Sequence, residues 1–294
     1  SAATAGMEAL LAHSHLLDGA LGRAAAYMAT ALLIGLVLWH SHHVSAYSTL
    51  RWSVSASLLG WLGAVVVLHG ILAEQAAPFQ TPGSMGNASI TANQVMHLLF
   101  QTRMGHSWLL YLLLLTLAAT LANIRLVRLP TWLLLTLPGG MLLCLAATSH
   151  AGEQGLGTWI FWLDVTHMGL ALTWIGGLMV MAISRLSGGH AFTWVHLRTW
   201  SRLALALFSG ALLTGVSRLY AQFAENGTLA WTYIGVLLIK AAAIAGVVIA
   251  AAGLRKLLQG QENPHDYDRG LSNEVFCAFM LVMATAMLTQ LPSW

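Results

Sequence analysis

Residues 159–183 read WIFWLDVTHMGLALTWIGGLMVMAI. A helix of roughly 20 apolar residues crosses a hydrocarbon core about 30 Å thick, and this run is long enough. It is too long and too uniformly apolar for the alternating strands of a membrane barrel, so the helical reading decides the fold. Its two titratable interruptions, Asp164 and His167, stand three residues apart and share one helical face. An ionisable residue within a span is expensive and marks a functional site by default. At this spacing the Asp164 carboxylate can accept the second N–H of the His167 ring and fix it for metal ligation. A buried imidazole hydrogen-bonded within the bundle is the plainer alternative.

The rest of the chain reads the same way. Of its 294 residues 57% are hydrophobic and 8% charged, against about 25% charged in soluble domains, which excludes a water-soluble fold. A net charge of +3 is too small to imply a nucleic-acid partner. Cys144 and Cys277 both lie in apolar runs and offer neither a disulfide framework nor a metal knuckle. Thirteen His, twelve Met and twelve Trp are left to be explained.

Eight stretches qualify as spans, near 23–40, 52–73, 107–123, 131–149, 159–183, 197–221, 229–254 and 273–291. The expected fold is therefore an all-α, eight-transmembrane-helix bundle, one unit over 23–291 after an N-terminal segment 1–22. The connection 74–106 carries Asn93, His97 and Gln101 at helical spacing and predicts a short interfacial helix. Arg51, Arg125, Arg128, Arg185, Arg198, Arg202, Arg255, Lys256 and Arg269 all fall in loops on one side if both termini are periplasmic, which sets the orientation. The stretch through Leu16 lacks the basic flank of a signal peptide, so the first span is expected to do the targeting.

In this topology His69, His97, His106, His150 and His167 fall in the outer half and form the candidate metal-ligand set. His13 and His15 stand beside them in sequence without an assigned role. His40, His42, His43, His190, His196 and His265 lie in Arg-rich loops and read as solvated. Met280, Met283 and Met287 share one face of the last helix, as a soft-metal ladder or, more ordinarily, as packing. Copper accepts both thioether and imidazole donors. Lys240 stands near the middle of the seventh span and needs a partner, either Asp164 or, together with Arg218, a haem propionate. Its fixed charge counts against an open cation channel. Trp159, Trp162, Trp194, Trp200 and Trp231 read as an interfacial belt, whereas Trp174 is deeper, precedes Gly176 and Gly177, and is placed at the site.

Several segments together resemble the copper resistance D (CopD) family of bacterial inner-membrane proteins. They are Asp164-Val-Thr-His167 followed by Trp174-Ile-Gly176-Gly177, Trp200-Ser201-Arg202, Thr214-Gly215 with Arg218, Tyr233-Ile-Gly235 with Lys240, Thr102-Arg103-Met-Gly105-His106-Ser-Trp108, and Ser149-His150-Ala151. The resemblance covers about 90–294. It implies an eight-helix protein of the inner membrane that handles periplasmic copper, Cu(I) or Cu(II), for import or delivery, with a periplasmic copper carrier as partner. The His and Trp-x-Gly-Gly helix followed by a helix with an intramembrane Lys is also similar to the HemJ family, which binds haem. That similarity implies a haem b redox protein, and His69, His150 and His167, at comparable outer depth on three spans, are the candidates for the axial ligands of one haem. A third alternative is a structural or assembly subunit of a larger membrane complex. No ATP-binding loop is present, so any metal movement is expected to be passive, gradient-driven or partner-assisted.

Overall fold

The computed structural model describes residues 2–39, 46–76, 91–123, 131–186, 193–226, 231–260 and 264–290. Ten helices follow one another in these residues: α1 Ala2–Trp39, α2 Ala46–Ala76, α3 Ala92–Gln101, α4 Arg103–Asn123, α5 Thr131–Ala147, α6 His150–Glu153, α7 Trp159–Leu186, α8 Trp194–Asn226, α9 Trp231–Gln259 and α10 Pro264–Leu288. No strand occurs among the described residues. Seven of them, α1, α2, α4 and α7 to α10, are long and apolar enough to cross a membrane, which makes this a multi-pass membrane protein. His13 and His15 lie within α1, and Gln94 completes a capping box with Thr91 at the start of α3. The expected loop residues His40, His42, His43, His190, Arg125 and Arg128 lie outside the described residues.

Three boundaries differ from expectation. The first apolar span begins at Leu17 rather than near residue 23, so Arg23 lies inside it. The last helix begins at Pro264, well before residue 273. Its polar first turns are folded onto the bundle, because Arg185 pairs with Asp268 at 2.5 Å and Trp194 packs edge-on against Tyr267. The fourth expected span, 131–149, corresponds to α5, whose apolar part, Leu134–Ala147, is shorter than the seven membrane-length helices. At 1.5 Å per residue it covers only about 20 Å.

α5 is short because its end is actively terminated. The Thr148 hydroxyl donates to the Leu145 carbonyl at 2.9 Å, and the Ser149 N–H turns back to the Ala146 carbonyl at 3.1 Å. Side-chain hydroxyls that bond nearby backbone offer the chain an alternative to continuing the helix. The one-turn α6 then starts at His150, and Gly155, at φ 113°, turns the chain into α7.

α1 is the axis of the bundle and packs against α2, α5, α7 and α10. Of its span 72% is buried, against 6% for α8 and 11% for α9. Small residues set these distances. A Cβ on Gly176 would meet the Ala31 carbonyl, and one on Gly35 would meet the Gly176 carbonyl, so α1 and α7 cross in backbone contact. The Gly22–Gly63 crossing does the same for α1 and α2. Trp200 is 5% exposed, lies over Gly177 and packs at a tilt against Trp39, ring centroids 5.5 Å apart, and Trp194 packs on Tyr267. These two are packing residues rather than belt residues. Trp159, Trp162 and Trp231 are exposed at the helix starts, where a belt is expected.

Gly176→Val should therefore force α1 and α7 apart and cost about 3 kcal/mol. Gly253→Ala, where nothing lies within 4 Å, should leave stability level or raise it. Thermal unfolding of the two variants in detergent checks both.

Candidate functional site

The helix break after Ala147 builds the polar site. Thr148 is held by Arg23, which donates to its hydroxyl at 3.3 Å and to its carbonyl at 3.1 Å. Ser149 donates to Asp164 Oδ2 at 2.6 Å. Asp164, one turn and a half into α7, is 0% exposed, and its Oδ1 lies 2.5 Å from Nη1 of Arg218 on α8. A buried carboxylate needs both a counter-charge and hydrogen bonds, and here it has them from two different elements.

His167 stands one turn deeper on α7. Its Nδ1 lies 2.8 Å from the Ala211 carbonyl and 3.2 Å from the Thr214 hydroxyl. A carbonyl only accepts, so Nδ1 carries the ring proton, and in the neutral imidazole Nε2 is a free lone pair. His150, at the start of α6, has its Nδ1 3.5 Å from Glu153 Oε2. Its Nε2 is buried with no hydrogen-bond partner among the described residues.

Both imidazoles line one cavity of about 130 Å³, together with Arg218, Gln222, Tyr233 and Lys240. An adjoining cavity of about 90 Å³ is lined by His167, Arg218 and Lys240 again, and also by Asp164, Ser149 and Trp174. Tyr27 lines it too, and its buried hydroxyl has no partner among the described residues. The walls of the two cavities thus carry two cations, Arg218 and Lys240, and one carboxylate, Asp164, with Glu153 beside the His150 ring. Gln222 accepts from the Tyr233 hydroxyl at 2.9 Å and ties α8 to α9 at the mouth.

Of the residues expected from sequence, His150, His167, Asp164, Arg218, Lys240 and Trp174 come together here. The pairing within the group differs from the expected one. Asp164 is engaged by Arg218 and Ser149, and the Ala211 carbonyl takes the His167 proton in its place. His69 and His97 are exposed on α2 and α3, and the His106 Nε2 is bound to the Phe100 carbonyl at 2.9 Å. None of these three lines either cavity. Met280 is exposed, and Met283 and Met287 pack on the core. The residues of α10 that line the cavities are Leu281, Val282, Thr285 and Leu288, with Thr289 just past its end, about half a turn around the helix from the methionine face. Among the described residues no three His, Cys, Asp or Glu side chains form a metal-holding group.

A haem does not fit these residues. His69 points away from the pair, and the cavity between His150 and His167 is well below the about 300–1,000 Å³ of ordinary ligand pockets. Sequence reasoning missed Glu153, Ser149, Tyr27 and the Ala211 carbonyl. Glu153 was legible, three residues after His150 on one helical turn. A backbone carbonyl on another helix leaves no signal in a sequence.

No family model and no solved structure matches the chain. A curated relative does: the chain is 25% identical over 284 aligned residues to the copper transport protein CutJ of Bacillus subtilis (strain 168). The match takes in 92% of this chain and 52% of that protein, so the chain spans about half the length of the curated relative it matches.

Removing one partner from a buried ion pair is costly, and removing both costs less than the sum. Arg218→Gln, which strands the fully buried Asp164, is expected to cost about 2 kcal/mol, below the usual 3–5 because the Arg218 side chain is 28% exposed. Asp164→Asn in the same background should restore part of that loss. A double-mutant cycle by thermal unfolding measures the coupling.

Proposed function

We propose that this chain is a copper-handling membrane protein that captures Cu(I) between His150 and His167, for import or delivery. The observation that carries the reading is that both imidazoles line one cavity. The His150 Nε2 is buried without a hydrogen-bond partner among the described residues, and the His167 Nδ1 proton is committed to the Ala211 carbonyl, which leaves its Nε2 as the donor atom. That is how a protein prepares imidazole ligands, since the second hydrogen bond fixes tautomer and orientation and raises ligand basicity. Cu(I) is stable with two nitrogen donors, so the lack of a three-residue group among the described residues is compatible with it. The similarity to a copper transport protein supports the same cargo.

On this reading α5 is an eighth crossing, stretched by residues flanking its short apolar part, and both termini lie on the periplasmic side of a bacterial inner membrane. The cavity then opens outward, and a soluble copper carrier is the partner that would load it. Thr285 lines both cavities, and Tyr27 and Trp174 line the one that His167 shares with Asp164.

His167→Ala should lower Cu(I) affinity more than 100-fold, and His150→Ala should do so as well. Glu153→Ala, which frees the His150 ring without removing it, should cost about tenfold. His69→Ala should change nothing. Competition titration of the purified protein against a chromophoric Cu(I) chelator reads all four. Wild-type affinity in the His167→Ala protein would overturn the assignment.

A further inference from the structure

At the end of the bundle opposite the polar cavity, α8 and α9 separate and leave a groove. Its deep part is a cavity of about 500 Å³ walled by Leu205, Phe208, Leu212, Leu213, Val248 and Ala252. A second cavity of about 500 Å³ adjoins it toward the helix ends and is lined by Arg198, Arg202, Arg255 and Gln259. The two share Ser201, Leu205, Arg255 and Leu258, so an apolar slot runs directly into a cationic mouth.

The mouth is built rather than incidental. Arg255 donates to the Ser201 carbonyl at 2.7 Å and to its hydroxyl at 3.2 Å, and Arg198 donates to the Leu258 carbonyl at 2.9 Å. Backbone anchors of this kind hold two guanidinium groups in place while leaving them charged. Glu274, 7% exposed on the wall of the deep cavity, lies within electrostatic reach of Arg255. Among the described residues that line the two cavities stand three guanidiniums and one carboxylate, a balance that favours an anion.

The dimensions fit one leaflet. From Ser201 to Leu213 the groove follows α8 for roughly 18 Å at 1.5 Å per residue, close to half of a hydrocarbon core about 30 Å thick. Leu205, Leu212, Leu213 and Val248 are exposed, so the slot is open sideways to the bilayer.

We infer that the α8–α9 groove is a binding site for an anionic diacyl phospholipid, its phosphate at Arg198, Arg202 and Arg255 and an acyl chain along Leu205, Phe208 and Leu212. Basic pockets between membrane helices recognise such headgroups by charge, while the acyl chain supplies apolar area that a free anion lacks. The lipid fills the gap between two helices that bury little of their own surface and so joins α8 and α9. This inference does not rest on the copper reading: Arg198, Arg202, Arg255 and Leu205 line neither cavity of the polar site, and only the deep end of the slot, at Phe208 and Leu212, borders the cavity that His167 shares with Asp164.

The test uses the full chain in detergent, stripped of lipid, with palmitoyl-oleoyl phosphatidylglycerol, phosphatidylcholine of the same chains, or inorganic phosphate added back. Phosphatidylglycerol should raise the melting temperature by several degrees and remain as a single adduct in native mass spectrometry, while phosphatidylcholine and phosphate do neither. Arg198→Gln and Arg202→Gln should each weaken the effect roughly fivefold. Leu205→Trp, which fills the slot from its exposed rim, should abolish the adduct without touching a charge. Equal protection by phosphatidylcholine, protection by phosphate alone, or an unchanged adduct in Leu205→Trp would each overturn the site. Should the arginine variants fail to fold, the lipid comparison and Leu205→Trp decide it on their own.

Discussion

A carboxylate with no exposed surface, Asp164, sets the terms for this end of the bundle. In a low-dielectric interior it needs a cation and a hydrogen-bond donor at fixed positions. The cation comes from α8 as Arg218, and the donor comes from Ser149. Ser149 reaches Asp164 because α5 stops two residues earlier. The shortness of α5, the one-turn α6 and the placement of His150 at the cavity mouth all follow from the same break. Arg23 holds that break from the other side through Thr148, so a buried cation in α1 and a buried carboxylate in α7 are linked through adjacent residues of one turn.

The remainder divides according to how closely helices approach. Glycine crossings bring α1 into backbone contact with both α2 and α7, and this part of the molecule is dense. By contrast α8 and α9 carry large apolar side chains outward and meet their neighbours over little area. Every cavity described above borders one of these two helices. Polar residues that would be costly against lipid therefore sit on the inner faces of the loosely packed pair, where the dense part supplies the opposite wall.

The spans were legible because long apolar runs leave little choice of structure in a bilayer. Asp164, His167, Arg218 and Lys240 were legible for the converse reason, that each is an expensive residue in such a run. The tilt and rotation of each helix were not. They decide that His69 faces outward, that the methionines of α10 lie away from the cavity, and that Asp164 bonds across helices rather than along its own. Trp194 and Trp200 misled in the same manner: proximity to a helix end suggested an interfacial belt, while their packing on Tyr267 and Trp39 makes them core. The early start of α10 was hidden by Asp266, Asp268 and Arg269, whose polarity reads as loop until the Arg185 pair is seen.

The charge at the site bears on which ion the proposed pair of imidazoles would hold. Arg218 takes up the charge of Asp164, and Lys240 stands as a further cation on the wall that His150 and His167 share, with the Glu153 carboxylate 3.5 Å from the His150 Nδ1. Repulsion between a fixed cation and a bound metal scales with the charge of the metal, so a divalent ion suffers twice the penalty of a monovalent one at the same position. Zinc in addition asks for four ligands, most often including thiolate or carboxylate, and Asp164, the carboxylate on the cavity wall, is already held by Arg218 and Ser149. A site with few, neutral donors beside a lysine thus discriminates by charge and by coordination number in the same direction. Both favour a univalent, low-coordinate ion, and on the copper reading that ion is Cu(I).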